Sequence, residues 1–191
     1  MADYTAFVEA GESLSELLRS RLTPEPIENR ELISLCSPHT ADNNQLTVSM
    51  FHIEEDAANL QSGYFQQSEN VQRVRPTGYQ LNFLITAHSK APVKMREADE
   101  CRIIGAVCAV IKDNPILPRE FIQGSLLESG ADIHISVERL NFEQMIKIWN
   151  DTASPYKLSV VCRVSGVSID SKRERKITRV SEVEIGVEKI Q

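Results

Sequence analysis

Tyr156-Lys157-Leu158-Ser159-Val160-Val161-Cys162-Arg163-Val164 carries an apolar side chain at every second position, with Lys157, Ser159 and Arg163 among the residues between. Successive side chains of a strand leave on opposite faces, so this period of two predicts a half-buried β-strand. Residues 167–169 continue it. Residues 170–176 read as a turn, and residues 177–187 as a last strand that returns antiparallel. Upstream, residues 46–53 show the same alternation, with Leu46, Val48 and Met50 set against Thr47 and Ser49. Residues 79–86 repeat it: Tyr79, Leu81, Phe83 and Ile85 face one way, Gln80, Asn82 and Thr86 the other, and Leu84 is the exception. Residues 133–137 predict a short strand and residues 33–35 a short edge strand.

Between the strands the period changes to that of helices. In residues 5–22, Phe7, Gly11, Leu14, Leu18 and Leu22 fall on one face. Pro24 and Pro26 stop this helix, because proline lacks the N–H that a helix interior requires. In residues 95–113, Ile103, Ile104, Val107, Cys108, Val110 and Ile111 cover more than one stripe, which predicts a largely buried helix. A shorter helix over residues 142–149 has a well-marked start. Asn141 can cap it, Gln144 can reach back, and Leu140 can pack on Met145. Phe142, Met145, Ile146 and Trp149 form its apolar face. The whole reads as one α+β domain over residues 1–191, a mostly antiparallel sheet with helices packed on it. Helices 5–22 and 95–113 are expected to cover one sheet face.

Composition narrows the function classes. The 191 residues are 41% hydrophobic and 25% charged, as in a globular protein with a real core. No apolar run approaches the length of a membrane span, and the first twelve residues carry Asp3, Glu9 and Glu12 with no basic residue, unlike a secretion signal. The net charge of −6 argues against general nucleic-acid binding, which needs a cationic surface. Cys36, Cys101, Cys108 and Cys162 read as thiols of a reducing cytoplasm, three of them in apolar runs where cysteine behaves as a small hydrophobe. Cys101 and Cys108 are expected in the core.

The residues of catalysis do not converge. Cys36 and His39 have a spacing that could place two zinc ligands, but no second pair lies at a matching spacing, so no metal is expected. His52 and His134 lie in or beside strands and could meet across a sheet; His39 and His88 lie elsewhere. There is no glycine-rich phosphate loop, no nucleophile elbow and no zinc-protease helix. Neither a cofactor nor turnover is expected. Two polar segments stand out instead. Residues 54–73 form a long Gln-, Asn- and Ser-rich loop with Tyr64 and Phe65 in it and Arg73 and Arg75 at its end. The run Lys172-Arg173-Glu174-Arg175-Lys176 puts four cations around one carboxylate, either a solvated turn or a contact with an acidic partner. Trp149 reads as a core residue.

Four stretches together carry a family resemblance. They are Arg75-Pro76 followed by Gln80-Leu81-Asn82-Phe83-Leu84-Ile85-Thr86-Ala87; Ile103-Ile104-Gly105 with Asp113-Asn114-Pro115-Ile116-Leu117; Leu140-Asn141-Phe142-Glu143-Gln144 through Ile148-Trp149; and Pro155-Tyr156-Lys157-Leu158-Ser159 with Arg163-Val164 and Ile169-Asp170-Ser171. In this order they resemble the cap, or tail-terminator, proteins of extracellular contractile injection systems of the antifeeding-prophage type. The likeness runs from Phe7 to Val187. Phe83 stands where the pattern has Tyr, and Cys162 where another aromatic is common. The matched residues look structural, so no catalytic residue is carried over.

The resemblance implies a tail-terminator-like fold and a structural role. Such caps form a homo-oligomeric ring, a hexamer, on the distal end of the inner tube. They stop its growth and hold the contractile sheath. Self, tube protein and sheath protein are then the partners, with no nucleic acid and no membrane insertion, and the particle is assembled in the cytoplasm. Candidate contacts are Tyr64, Phe65, Arg73, Arg75, Lys172, Arg173, Arg175 and Lys176, on two separate surfaces of different chemistry. The near alternative is the terminator or connector of a true phage tail. A small-ligand or peptide-binding module, with residues 54–73 as its lid, is the alternative from another class.

Overall fold

The computed structural model describes residues 3–39, 43–56, 63–68, 70–150 and 155–177. Its main sheet has five strands: β1 (Ile33–Leu35), β2 (Leu46–Glu55), β5 (Thr77–Ala87), β6 (His134–Val137) and β7 (Ser159–Ile169), in the order β1-β2-β5-β7-β6. Every pairing is antiparallel except the short one between β1 and β2. A second sheet joins β3 (Tyr64–Ser68), β4 (Val71–Val74) and β8 (Glu174–Lys176), again antiparallel. The mixed α/β architecture with antiparallel-dominated sheets is the one expected.

Helices cover both faces of the main sheet. On one face lie α1 (Ala6–Leu22) and α2 (Arg96–Asp113), which also touch each other, with the short α3 (Gly124–Ser129) beside α1. Leu81, Phe83 and Ile85 of β5 and Cys162 and Val164 of β7 point into this layer, where Leu14, Leu17, Leu18, Ile103, Val107 and Ile111 meet them. Leu84 of β5 and Val161 of β7 point the other way, onto Trp149 of α4 (Phe142–Asn150). Leu84, the exception to the alternation, is therefore the hydrophobic contact of the second face. Gly11 lets α1 approach closely, since a Cβ there would lie 2.8 Å from Leu35 and 3.1 Å from Phe83.

Several expectations need correction. Residues 54–73 are not one loop: β2 runs on to Glu55, and Tyr64, Phe65, Val71 and Val74 supply enough strand-forming side chains for the β3–β4 hairpin. Residues 170–176 are not a simple turn, because Glu174–Lys176 pairs with β4. Of the expected last strand, Ile177 follows β8 directly, and residues 178–187 lie outside the described residues. β7 starts at Ser159, with Tyr156 turned edge-on to Trp149 at 6.1 Å between ring centroids. α2 is not largely buried. Its buried residues, Ile103, Val107 and Ile111, form a single stripe at i, i+4 and i+8, and Cys101, on another face, is exposed. α3 was not expected, since its six residues are too few for a periodic signal.

At α4 the reciprocal cap is present: Gln144 N–H donates to Asn141 Oδ1 at 2.8 Å, and Asn141 N–H donates to Gln144 Oε1 at 2.9 Å. Leu140, Met145 and Ile148 pack around the buried Trp149. Phe142 does not join them and is 74% exposed, because the first residue of the helix lies beyond the patch that Leu84 and Val161 provide.

Candidate partner-contact surface

The second sheet gathers the candidate contact residues. Its hydrogen-bonded register sets Tyr64 opposite Val74, Phe65 opposite Arg73, Arg73 opposite Glu174, Gln72 opposite Arg175, and Val71 opposite Lys176. Arg175 lies over the Tyr64 ring, 4.7 Å from its centroid, and donates to Gln72 Oε1 at 3.0 Å. Arg73 donates from Nε to the Ser171 carbonyl, and Val74 N–H donates to the Arg173 carbonyl at 3.1 Å. Arg75 N–H donates to the Gly63 carbonyl at 3.1 Å, closing the base of the hairpin. Lys172 Nζ lies 4.0 Å from Asp3 Oδ1, near the start of the chain.

The two segments expected to form separate surfaces thus form one. β8 is the neighbour of β4, so the amide- and aromatic-bearing hairpin and the basic run share a sheet. Period-two alternation along the paired strands puts Phe65, Arg73 and Glu174 in one row, with Tyr64, Gln66, Gln72 and Arg175 on the opposite face. Six cations cluster here on a chain of net charge −6, so the local field opposes the global one. Among the described residues the side chains of Arg75, Arg173 and Lys176 meet no carboxylate.

A second feature was not expected. β1 pairs only with Leu46, Thr47 and Val48, which leaves the outer edge of β2 beyond Val48 without a neighbouring strand among the described residues. Met50, Phe51 and Ile53 are exposed there, at 38%, 39% and 40%. Beside this edge lies an apolar groove of about 460 Å³, between the start of α1 and β1–β2, lined by Tyr4, Phe7, Val8, Leu35, Met50 and Phe83 among others. Alternation identifies a strand but not which of its edges the fold leaves open, so this feature depends on topology.

The other singled-out residues do not converge. His52 and His134 do not meet: β5 and β7 lie between their strands, and His52 instead holds Glu54 Oε1 at 2.7 Å. Cys36 Sγ accepts from Asn44 Nδ2 at 3.4 Å, and His39 packs edge-on to Trp149 with centroids 5.3 Å apart. Cys162 is buried, which pushes its thiol up to about 12. Among the described residues no group of three or more His, Cys, Asp or Glu side chains is placed to hold a metal ion.

His88 is the polar residue that sequence reasoning left without a role. It is 8% exposed, at the end of β5, between Thr47 Oγ1 at 2.9 Å from Nε2 and Lys157 Nζ at 2.8 Å from Nδ1. An ammonium can only donate, so Nδ1 accepts and Nε2–H donates to Thr47. Burial first, then the charges of Lys157 and His39, bring the His88 pKa down to about 4. The neutral imidazole pins Lys157, just before β7, to β2.

A family model describing the Pvc16 N-terminal domain matches residues 9–182. No curated protein matches the chain. Among solved structures, a cryo-EM structure of the PVC sheath/tube terminator, from an extracellular contractile injection system in its extended state, superposes with a TM-score of 0.66 at 17% identity. That match covers 100% of this chain and 66% of the other. The tube-terminating cap of the anti-feeding prophage superposes with a TM-score of 0.58, also at 17% identity, covering 94% of this chain and 61% of that one. The chain therefore spans just under two thirds of the length of these structures, and the likeness is one of fold.

Proposed function

From the premise that this chain belongs to the Pvc16 N-terminal domain family, we propose that it is the cap of a contractile, phage-tail-like injection particle. In this role it forms a closed sixfold ring on the distal end of the inner tube, ends tube growth, and gives the last sheath layer its attachment. The observation that carries the reading is the family match over residues 9–182, supported by superposition of the whole chain on a sheath/tube terminator. The role is structural, with no turnover and no cofactor, and assembly takes place in the cytoplasm before the particle acts.

The second sheet supports this reading physically. It carries clustered cations, with Tyr64 and Phe65 alongside, and among the described residues its outer strands are each paired on one side only. We assign Tyr64, Phe65, Arg73, Arg75, Lys172, Arg173, Arg175 and Lys176 to subunit contact through the two faces and the margins of this one small sheet. Deletion of the gene in the producing cell tests the role by electron microscopy. The expected result is tubes of uncontrolled length or no stable sheathed particles. Intact sheathed particles of normal, uniform length would overturn it.

A further inference from the structure

We propose that the open edge of β2 takes an extended, cationic segment of a partner protein as an added strand, with its apolar side chains seated in the groove beside α1. The edge opens for a reason in the sequence. At the end of the β1–β2 ladder, Cys36 N–H donates to the Val48 carbonyl at 3.0 Å. On this line the next donor would be residue 38, a proline, which has no N–H. Beyond Val48, β2 runs on to Glu55 with β5 on one side and no strand on the other among the described residues. Phe51, His52, Ile53, Glu54 and Glu55 are all exposed, so the stretch is open on both faces.

The backbone of this edge is aimed outward at defined positions. The Gln45 carbonyl accepts from His88 N–H at 2.8 Å, and Asp56 N–H donates to the Gly78 carbonyl at 2.9 Å, so β2 is tied to the β5 chain at both ends. Bonded and unbonded positions alternate in an antiparallel pair. From the two ends inward, this leaves Met50, Ile53 and Glu55 with N–H and C=O groups turned away from β5. Met50 and Ile53 share a face although they are three residues apart, because a bulge between Met50 and His52 makes Phe51 an extra residue. That face is the one toward α1, since their cross-strand partners Phe83 and Leu81 belong to its core. The apolar groove lies on the same side, with Tyr4 and Val8 at its rim, 76% and 52% exposed. A free strand edge beside such a groove suits an extended peptide: main-chain bonds give affinity, and pockets for alternate side chains give choice.

Charge sets the chemistry of the occupant. The far end of the edge carries Glu55 on the α1 side and Glu54 on the other, so one carboxylate stands on each face. Glu55 meets no cation among the described residues, and Glu54 meets only His52, at 2.7 Å. A second β2 edge would bring the same carboxylates, and like charges across a strand pair are unfavourable. The fitting segment is therefore extended, with apolar side chains at alternate positions beside Met50 and Ile53, and Lys or Arg beside Glu54 and Glu55. The site lies on the main sheet, apart from the small-sheet residues assigned to subunit contact, and so does not depend on the ring.

The test uses the whole chain and a phage-displayed library of short random peptides. Selection should enrich peptides with apolar residues at alternate positions followed by Lys or Arg. In ¹⁵N-labelled protein, a synthetic copy of the most enriched peptide should slow hydrogen exchange at the Met50, Ile53 and Glu55 amides. It should leave the His52 and Glu54 amides, already turned to β5, unchanged. Ile53→Pro removes an outward N–H without removing a bond to β5, and should weaken binding about tenfold or more. Glu55→Lys, an exposed change that spares the fold, should weaken it about fivefold and shift the selected peptides toward Asp or Glu. Enriched peptides without alternation, or slowed exchange at other amides instead, would overturn the proposal. So would an empty selection, which would leave the bulge and the carboxylates as devices that keep the edge from pairing. Sedimentation is the last arm: self-association of the wild-type chain that Ile53→Pro abolishes would give the edge to a second copy and overturn the cationic partner. All these outcomes leave the cap reading standing, since gene deletion tests that separately.

Discussion

His88 shows how much a single side chain can do unannounced. In the sequence it is one of four histidines in four different segments; its partners, Thr47 and Lys157, stand 41 and 69 residues away. Only the pairing of β2 with β5, and the approach to β7, bring the three together. Its pKa near 4 lies below the unfolded value of 6.5, so between these limits the unfolded chain binds the extra proton. The contribution of His88 is therefore fully present above pH 6.5, falls as the pH drops toward 4, and is gone below that. Its full extent is up to roughly 3 kcal/mol. Urea unfolding at a series of pH values should show this loss in the wild-type chain relative to His88→Gln, which cannot titrate. Parallel curves over that window would rule out the neutral buried imidazole. The cysteines show the opposite limit: Cys101 and Cys108 do lie on one helix face, as their spacing of seven requires, but the stripe that faces the sheet is Ile103, Val107 and Ile111.

Among the elements, β7 was legible in outline and concealed a detail. Apolar residues stand at Val160, Cys162 and Val164, then at Val167 and Ile169, so the period slips by one between the two groups. The register shows why: Leu81 pairs with Val164 but Tyr79 with Val167, so Ser165 and Gly166 together oppose Gln80 in a bulge. Gly166 sits there at φ +86°, and a Cβ would come within 2.3 Å of the Asp132 carbonyl oxygen. Gly166→Ala should cost about 2–4 kcal/mol, through both the left-handed backbone and the backbone clash. Gly105→Ala is the control, in the exposed interior of α2 with nothing within 4 Å of the new Cβ. It should stabilise by about 0.5–1 kcal/mol, since alanine is the better helix former. Equal midpoints of urea unfolding for the two variants would contradict this account of the bulge. The β3–β4 hairpin was not legible in the same way: its Gln- and Ser-rich sequence has few apolar residues to alternate, and its partner strand β8 lies about a hundred residues later.

At the scale of the whole molecule, two sheets divide two tasks. The main sheet, covered by helices on both faces, holds the buried residues that the alternation and helical stripes identified. The small sheet has exposed or half-buried side chains throughout its described strands and contributes charge and edges instead. Stability and assembly should therefore separate, and Arg173 and Arg175 measure how cleanly. The Arg173 side chain makes no hydrogen bond or ion pair among the described residues, whereas Arg175 stacks on Tyr64 and donates to Gln72. Arg173→Glu should leave the unfolding free energy within about 0.5 kcal/mol of wild type, as exposed charge changes do. Arg175→Glu should cost somewhat more, about 0.5–1 kcal/mol, because the stack and the hydrogen bond are lost together. Both reversals should weaken assembly clearly at low ionic strength. The difference from wild type should shrink as added salt screens the exposed charges, since at about 0.5 M the screening length is shorter than the spacing of side chains across such an interface. Urea unfolding and sedimentation at two salt concentrations check all four values. Equal loss of folding and assembly in Arg173→Glu would place that residue in the fold rather than on the contact surface.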